Sequence, residues 1–578
     1  MFFINRILLY AVTALLLLIT TGLPQNKADK IDELIKKYNE YRLFNGSALV
    51  ADNNEIILKK GYGFANMEWD IMNTADTKFR LGSITKQFTS MLIMQLVENG
   101  KIKLEDKITD YLPYYRKDVG DKVTIEMLLI HTSGIPSYTN QPDFFEKVSK
   151  QYYAPDDFIK QYCSGDLEFE PGTKFNYNNS GYFILGAIIE HITGKTYDEV
   201  LTEKIIEPLG LKDTGYDHSE TIINKRAAGY EKAGNGYRNA SYLDMALPYA
   251  AGSLYSTVED LYKWDLALRT DKILSKKYMD EMFIGRVDAR NSNYAFGWFI
   301  DTIAIDDQNY LVYTHGGGIN GFNTINYIIP QKQQVVILFS NAGGAPLNGI
   351  TNSIINILNG KEYKMPAKPI VDLLNQKINE TGISDAINEF NKLKSNKEAY
   401  SYSERELNSL GYDYLRANKI DEAIGIFKLN MQEFPQSSNV YDSYAEALMV
   451  KGENDESINY YKKSLALNPE NLNAVEQLKK LGVEYKAEEI ILKNSDLIKF
   501  SGQYQLFPEF IITIRVDGDR IFAQATGQSE LELFPLAENK FYNKIVDAPM
   551  EFIIDENGQV EKMILYQNGR EMPGTRIK

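Results

Sequence analysis

The chain contains very little cysteine and histidine, and this excludes two common kinds of site. Among 578 residues there is one cysteine, Cys163, so no disulfide framework and no cysteine-based metal site is expected. The four histidines lie far apart in the sequence and form no H-E-x-x-H pair. The sequence therefore implies neither a metal ion nor an organic cofactor.

Basic residues are also in deficit. The 63 lysines and arginines are outnumbered by 78 acidic residues, and the resulting net charge of −15 argues against a nucleic-acid partner, which requires a basic face. The phosphate-binding and dinucleotide-binding fingerprints are absent, and so is the G-x-S-x-G motif of α/β-hydrolases. Hydrophobic residues make up 44% of the chain, which is ordinary for globular proteins, and the length suggests several domains.

Long apolar runs are absent beyond the N-terminus. Arg6 precedes an apolar run of 13 residues, Ile7 to Ile19, and the small residues Thr20-Thr21-Gly22 follow it. This pattern is typical of a signal peptide, here residues 1–25, and the run is shorter than the about 20 residues that cross a bilayer. We expect an exported protein, periplasmic or secreted, with no stable membrane span after signal removal. An uncleaved anchor is the alternative.

The stretch that organises the chain is F-R-L-G-S-I-T-K-Q-F-T, from Phe79 to Thr89, which opens an apolar helix predicted from Ser83 to about Glu98. Ser83 and Lys86 are three residues apart, so their side chains share one face of this helix. Burial is expected to lower the pKa of Lys86 and make it a base for the Ser83 hydroxyl. The alternative is an N-cap serine followed by a lysine that reaches solvent.

Two further motifs could complete the site. Tyr177-Asn178-Asn179 lies on a Pro-Gly loop ahead of a helix predicted at 183–192, although the same Y-x-N spacing occurs at two other places. Tyr313-Thr314-His315-Gly316-Gly317-Gly318 is a strand that ends in three glycines, which permit close approach by a ligand. The alternative role for His315 is a strand-end histidine that is hydrogen-bonded for structure.

In combination, these motifs resemble the class C β-lactamase and penicillin-binding-protein-like serine hydrolase family, over about Gly46 to Asn341. S-x-x-K, Y-x-N and H-x-G occur in the order typical of that family. Four further phrases add to the resemblance: Leu129–Gly134, Glu207–Gly215, Ala251–Thr257 and Phe296–Trp298.

The resemblance implies a role for each residue. Ser83 would be the nucleophile, and Lys86 and Tyr177 would share the proton transfers, with the identity of the base left open. Asn179 would orient the substrate amide or ester. His315 would line the acyl side of the site, and Gly317 and Gly318 would also bind the substrate. The backbone N–H groups of Ser83 and Gly318 would form the oxyanion hole.

One residue departs from the best-known family members. His315 stands where they have a lysine, whose permanent charge attracts a substrate carboxylate. A histidine is mostly neutral at pH 7, so efficient β-lactam hydrolysis is disfavoured. Esterase, D-amino-acid amidase or peptidase, and weak β-lactamase activities all remain open.

The rest of the chain predicts a multidomain organisation. Segregated helices and antiparallel strands, including a hairpin at 46–51 and 55–61, favour an α+β serine hydrolase domain of the β-lactamase/transpeptidase type at 27–360. A linker at 361–369 is followed at 370–490 by helical repeats with a 34-residue period, which resemble tetratricopeptide repeats. Frequent hairpin signals predict a small all-β barrel or sandwich at 498–578.

The leading hypothesis is an exported serine hydrolase that forms an acyl-enzyme on Ser83. Its substrate would be a small ester, an amide or a peptide of the cell-wall type. The alternative is a catalytically inactive binding protein whose helical repeats recruit a peptide or protein partner.

Overall fold

The structure is a computed structural model in which two compact units can be described. The first comprises the residues up to Glu231, Asn239–Val287 and Tyr294–Pro366, and the second comprises Ala367–Lys578 with the short segments Lys232–Arg238 and Asp288–Asn293. The predicted signal peptide and the predicted turns at Asn557-Gly558 and Asn568-Gly569 fall wholly or partly outside the described residues. The described residues are 26–141, 144–233, 236–289, 292–485, 490–507, 510–526, 528, 530–544, 546, 548–555, 558–567 and 570–577.

The first unit is built on an antiparallel sheet. Its six long strands lie in the spatial order Phe299–Ile305, Gln308–Ile319, Phe322–Ile329, Gln334–Ser340, Gly46–Asp52 and Glu55–Tyr62. Side chains of Gly46–Asp52 alternate between two cores, as the two-residue period of a strand requires: Leu49 and Ala51 enter one cluster, Ala48 and Val50 the other. The sheet is therefore buried on both faces.

Helices cover the two faces of this sheet. Lys27–Glu40 and Leu347–Leu358 pack on one face, with Ile31, Leu34 and Ile350 in the smaller core cluster. The other face carries the larger cluster, to which Thr85–Glu98 and Asn179–Thr193 contribute. The remaining helices of this unit are Ile108–Tyr111, Lys117–Gly120, Ile125–Leu129, Pro155–Tyr162, Tyr197–Leu201, Glu207–Leu209, Tyr249–Gly252, Val258–Ala267 and Lys276–Met282.

Shorter elements complete the first part of the chain. The 3₁₀ turns are Gly82–Ile84, Tyr138–Asn140 and Pro330–Lys332, and π turns occur at Phe144–Val148 and Thr202–Ile206. The short strands are Phe64–Asn66, Ile71–Met72, Phe79–Arg80, Gly215–Tyr216, Tyr230–Ala233, Gly236–Asn239, Leu254–Ser256, Val287–Asp288, Asn293–Tyr294 and Ala342–Gly343. The predicted hairpin at 46–51 and 55–61 is confirmed. The late strands pair antiparallel as predicted, but the strand predicted at 294–300 is divided into Asn293–Tyr294 and Phe299–Ile305.

The second unit begins with helices and ends with a barrel. Its helices are Ile370–Thr381, Ile383–Leu393, Glu404–Arg416, Ile420–Glu433, Ser438–Lys451, Asn454–Leu467, Leu472–Lys480 and Asn494–Leu497, and a 3₁₀ turn follows at Ile498–Phe500. A spacing of 34 residues separates the first residues of Glu404–Arg416 and Ser438–Lys451, and likewise those of Ile420–Glu433 and Asn454–Leu467. Assignment of these helices to the tetratricopeptide family stays a prediction.

The predicted all-β segment forms a closed eight-stranded barrel, so the barrel alternative is correct and the sandwich is not. Two short strands, Lys368–Pro369 and Tyr400–Ser401, pair separately within the linker and helical region. Among the described residues, no helix has both the length and the apolarity needed to span a bilayer. The barrel strands are Gly502–Phe507, Phe510–Asp517, Arg520–Ala525, Leu531–Ala537, Lys540–Tyr542, Met550–Ile554, Val560–Gln567 and Arg570–Arg576.

Candidate active site

Ser83 lies at a rigid junction between a short strand and the long apolar helix. It occupies the 3₁₀ turn Gly82–Ile84, which leads directly into Thr85–Glu98. The backbone N–H of Leu81 donates to the carbonyl of Leu254 at 2.8 Å, and the Leu81 carbonyl accepts from the Thr324 hydroxyl at 2.7 Å. The turn that presents the serine is therefore fixed from two sides.

Lys86 is fully buried, with 0% of its side chain surface exposed. Its Nζ lies near three oxygens: Ser83 Oγ at 3.1 Å, Asn179 Oδ1 at 2.9 Å and the Ala251 carbonyl at 2.9 Å. Among the described residues it forms no ion pair, and burial holds its pKa well below the usual value for a lysine. The lowered pKa favours the uncharged form of the amine, which is the form that can accept a proton.

The three oxygens around Lys86 could accept from all three N–H groups of an ammonium, and they also suit the neutral amine that attack by Ser83 requires. Such an amine has two N–H donors and one lone pair. The amide oxygen of Asn179 and the carbonyl of Ala251 can only accept, so they take the two donors. The lone pair is left for the hydroxyl proton of Ser83, which is the arrangement that a general base requires.

Tyr177 lies over the same amine. Its ring centroid is 4.9 Å from Lys86 Nζ, and its hydroxyl is buried without a partner of hydrogen-bond geometry among the described residues. Burial raises the pKa of Tyr177, and the neighbouring Ser83 hydroxyl lowers it only in part. The phenol therefore keeps its proton at neutral pH and can donate it to a leaving group.

The Y-x-N motif spans the end of a loop and the start of a helix. The helix begins at Asn179, earlier than the predicted 183–192, because the Asn178 side chain caps it by accepting from the Gly181 N–H at 2.8 Å. Asn179 is consequently a helical residue, whose Nδ2 donates to Thr139 Oγ1 at 3.1 Å. This second bond orients the amide so that its oxygen faces Lys86.

His315 is buried beneath the site, and both of its ring nitrogens have partners. Nδ1–H donates to the Gly316 carbonyl at 2.6 Å, and Nε2 accepts from the Tyr294 hydroxyl at 3.1 Å. Burial, with a smaller effect of Lys86, lowers the pKa of His315 to about 3, so the ring is neutral. Its ring centroid is 6.1 Å from that of Tyr177. Its predicted contact with substrate stays a prediction.

The glycine strand approaches the serine turn at backbone distance. A Cβ added to Gly317 would lie 1.9 Å from the Leu81 carbonyl oxygen, and one added to Gly82 would lie 2.9 Å from the Gly318 nitrogen. Gly82 also has a φ of +55°, in the region that favours glycine. The backbones of Gly82 and Gly318 are thus adjacent, while the oxyanion hole formed by the N–H groups of Ser83 and Gly318 stays a prediction.

The structure adds two residues to which the sequence reasoning gave no role. The ring of His131 lies 4.3 Å from that of Tyr177, and its Nδ1 accepts from the Asn178 N–H at 3.1 Å. Burial lowers the pKa of His131, so this ring is also neutral. Tyr294 packs against His131 and holds His315. The phrase L-I-H-T-S-G contains His131 and was the available signal.

Comparison with known proteins identifies the family of the first domain. The family model described as Beta-lactamase matches residues 31–355. The chain belongs to the beta-lactamase family. Residues 486–576 match a second model, described as a domain of unknown function (DUF3471), which covers the barrel.

Individual relatives place the chain near penicillin-binding-protein-like serine hydrolases. A Bacillus subtilis (strain 168) protein named as a penicillin-binding protein, PbpX, is 30% identical over 335 residues, which are 58% of this chain and 79% of that protein. The teichoic acid D-alanine hydrolase of Staphylococcus aureus (strain NCTC 8325 / PS 47) is 32% identical over 305 residues, 50% of this chain and 74% of the relative.

One solved structure extends the likeness beyond the hydrolase domain. The octameric penicillin-binding protein homologue from Pyrococcus abyssi matches 94% of this chain and 99% of its own, with a TM-score of 0.50. At 22% identity this is a likeness of fold alone.

Proposed function

We propose that this protein is an exported serine hydrolase that forms an acyl-enzyme on Ser83 with small D-alanyl esters or amides. The observation that carries the proposal is the buried Lys86 amine, whose Nζ lies 3.1 Å from Ser83 Oγ and 2.9 Å from each of two oxygens that can only accept. A lysine buried without a counter-charge is costly. Proton abstraction gives a physical reason for that cost.

The proposed reaction uses the groups in sequence. Ser83 Oγ attacks the substrate carbonyl while its proton passes to Lys86 Nζ, and the backbone N–H groups of Ser83 and Gly318 stabilise the oxyanion. One such donor is typically worth about 2.7–4 kcal/mol. Tyr177 then donates its proton to the leaving alcohol or amine, whose bond to the carbonyl carbon breaks. Water releases the acyl group by the same steps in reverse.

The proposed substrate class follows from the charges around the site. His315 is neutral and buried where a lysine would otherwise attract a carboxylate. A D-alanyl ester carries an ammonium and no carboxylate on its acyl part, so the missing cation is no disadvantage. The Staphylococcus aureus relative carries the name teichoic acid D-alanine hydrolase. The narrower class C likeness and export through the signal peptide stay predictions.

Labelling with a fluorescent phosphonate tests the nucleophile. We expect the wild-type protein to be labelled and Ser83→Ala not to be, with the fold retained in circular dichroism. Ser275→Ala is the matched control, since Ser275 is exposed and makes no cap hydrogen bond. Equal labelling of Ser83→Ala would refute the proposal, and an unlabelled wild-type protein would favour the inactive binding protein with a peptide partner on its helical repeats.

Replacement of Tyr177 tests the proton donor. Tyr177→Phe removes only the hydroxyl, and we expect turnover to fall roughly 10²–10⁴-fold, the usual size of general acid–base catalysis.

A comparison of substrates tests the proposed substrate class. We expect the wild-type protein to hydrolyse a D-alanyl ester faster than a D-alanyl dipeptide or a chromogenic cephalosporin. Faster hydrolysis of the cephalosporin would contradict the proposed substrate class.

A further inference from the structure

One cavity of the first unit, separate from the catalytic residues, is lined by both aromatic rings and carboxylates. It has a volume of about 540 Å³ and shares no lining residue with the catalytic set. Six tyrosines line it: Tyr152, Tyr153, Tyr197, Tyr216, Tyr242 and Tyr249. Four acidic residues line it as well: Glu190, Asp198, Glu220 and Asp244. We refer to this cavity as the tyrosine pocket.

The charges of the tyrosine pocket are unbalanced. No lysine or arginine is among the described residues that line it, and the one basic residue, His218, has its Nε2 3.0 Å from Asp198 Oδ2. Glu190 accepts from a backbone N–H, and Asp244 accepts from the Tyr242 hydroxyl, so neither is neutralised by a cation in the described part of the chain. A concave site with several carboxylates and no cation has a negative potential.

Tyr249 is an inner wall residue of the tyrosine pocket. Only 4% of its surface is exposed, and its hydroxyl has no partner of good hydrogen-bond geometry among the described residues. Burial raises the pKa of this phenol, and the interaction with the Glu190 carboxylate raises it further. This wall of the pocket therefore places an aromatic ring beside an acidic group.

We propose that the tyrosine pocket binds a small organic cation of the alkylammonium class. Tyrosine faces attract an ammonium group, by about 0.5–1 kcal/mol at exposed sites and more when water is excluded. The carboxylates supply the opposite charge. A neutral sugar would also stack on tyrosines, but it would bring no charge opposite to that of the carboxylates.

The pocket is connected to the helix that carries Lys86. The Tyr197 hydroxyl lies 2.7 Å from Thr89 Oγ1, one turn after Lys86 on the same helix. Tyr249 belongs to the short helix Tyr249–Gly252, in which the carbonyl of Ala251 accepts from Lys86 Nζ. A cation bound against the pocket wall to which these two tyrosines belong would therefore lie next to two elements that position the base.

Calorimetric titration of the full chain tests the proposal without any measurement of activity, so it can fail independently of the proposed function. Choline is the probe, and 3,3-dimethylbutan-1-ol is its neutral isostere, both at constant ionic strength. We expect choline to bind at least about tenfold more tightly than the isostere. Spermidine, in a separate titration, distinguishes a primary-amine ligand from a quaternary one. No binding of either cation, or equal binding of the isostere or of glucose, would overturn the proposal.

Variants locate the bound cation. Tyr152 and Tyr242 are 72% and 56% exposed, so the Tyr152→Ala/Tyr242→Ala protein should fold, and we expect about tenfold weaker binding. Trp69→Ala is the control. Trp69 is 78% exposed and lies outside the tyrosine pocket, so this variant should bind choline as the wild-type protein does. Glu220→Gln/Asp244→Asn should also weaken binding, since it removes two of the carboxylates. Unchanged affinity in both double variants would overturn the assignment.

The connection to the catalytic helix has its own readout. Saturating choline should change the rate of phosphonate labelling of Ser83 at least about twofold in the wild-type protein, and not in Tyr152→Ala/Tyr242→Ala. A rate that does not respond to choline in the wild-type protein would refute the connection to the catalytic helix.

Discussion

Lys86 illustrates how burial alone can set the chemistry of one residue. Because burial holds its pKa well below that of a free lysine, its neutral form should predominate at a pH where an exposed lysine is still charged. We predict that the rate of phosphonate labelling rises with pH and levels off well below pH 10. The Lys86→Arg variant should be labelled slowly at every pH, since a guanidinium cannot take a proton. A wild-type rate that still climbs at pH 10.5 would contradict the assignment.

Asp265 is a buried residue whose ionisation should affect stability and not catalysis. Asn326 Nδ2 donates to its Oδ1 at 2.7 Å, while Asp265 Oδ2 and Asn326 Oδ1 have no partner in the described part of the chain. A protonated Asp265 carboxyl would account for both of these unpartnered oxygens, because its O–H can donate to Asn326 Oδ1. Burial, opposed in part by the Asn326 hydrogen bond, raises the pKa of Asp265 to about 8.

The sign of the pH effect follows from linkage. An unfolded aspartate has a pKa near 3.9, so between about pH 4 and pH 8 the folded protein binds more protons, and its stability falls as the pH rises. Asp265→Asn keeps an oxygen that can accept from Asn326 Nδ2, offers an amide N–H to the free Asn326 oxygen, and does not titrate. We predict that it raises the Tm, by more at pH 8 than at pH 5. Asp271→Asn is the control, because Asp271 is exposed, and it should leave the Tm unchanged at both pH values. A lower Tm for Asp265→Asn at pH 8 would contradict protonation.

Residues close in sequence were easier to predict than residues brought together by folding. Ser83 and Lys86 are three apart on one helix, so helical periodicity alone placed their side chains together. His131, Tyr177 and Tyr294 come from separate segments, and no spacing rule relates them. Their proximity depends on how the loop before Asn179 packs against the sheet.

At the scale of elements, the junction between the glycine strand and the serine turn is the most constrained part of the site. A Cβ on Gly317 would meet the Leu81 carbonyl at 1.9 Å and Thr324 Oγ1 at 2.3 Å, and a backbone atom cannot move aside cheaply. We predict that Gly317→Ala lowers stability by about 1–3 kcal/mol, the usual cost of overpacking, and abolishes phosphonate labelling.

The neighbouring glycine provides the control for this prediction. A Cβ on Gly316 would approach nothing closer than 3.6 Å, so Gly316→Ala should unfold at nearly the wild-type temperature and be labelled normally. The test compares the unfolding temperature and the phosphonate labelling of Gly317→Ala with those of Gly316→Ala. If they behave alike, close packing of the strand on the turn is not what requires glycine.

The elements themselves were predicted to different degrees. Strand alternation and turn residues located the hairpin at 46–51 and 55–61, because both signals are local. The triple glycine indicated close backbone approach, and only the family resemblance related it to the Ser83 turn, since Leu81 is more than 200 residues away in the sequence. The start of the helix at Asn179 was missed because the polar cap, Asn178, precedes the apolar run that marked the helix.

At the scale of the whole molecule, the two compact units have separate hydrophobic clusters. Every predicted site residue lies in the first unit, and the contacts that position Lys86 come from Ser83, Asn179 and Ala251, which belong to that unit. The clusters of the first unit end at Leu358, and those of the second begin at Ile370. The site should therefore form without the helical repeats and the barrel.

A fragment of residues 26–366 tests this expectation. We predict that it folds cooperatively and that its Ser83 is labelled by the phosphonate at a rate within about threefold of the full chain, because the chemistry depends only on groups inside the first unit. The same fragment with Ser83→Ala is the control for non-specific labelling. A folded fragment that is not labelled, alongside a labelled full chain, would show that residues after Pro366 take part in the reaction. Normal labelling would instead restrict the helices and the barrel to other roles, such as binding the predicted peptide partner.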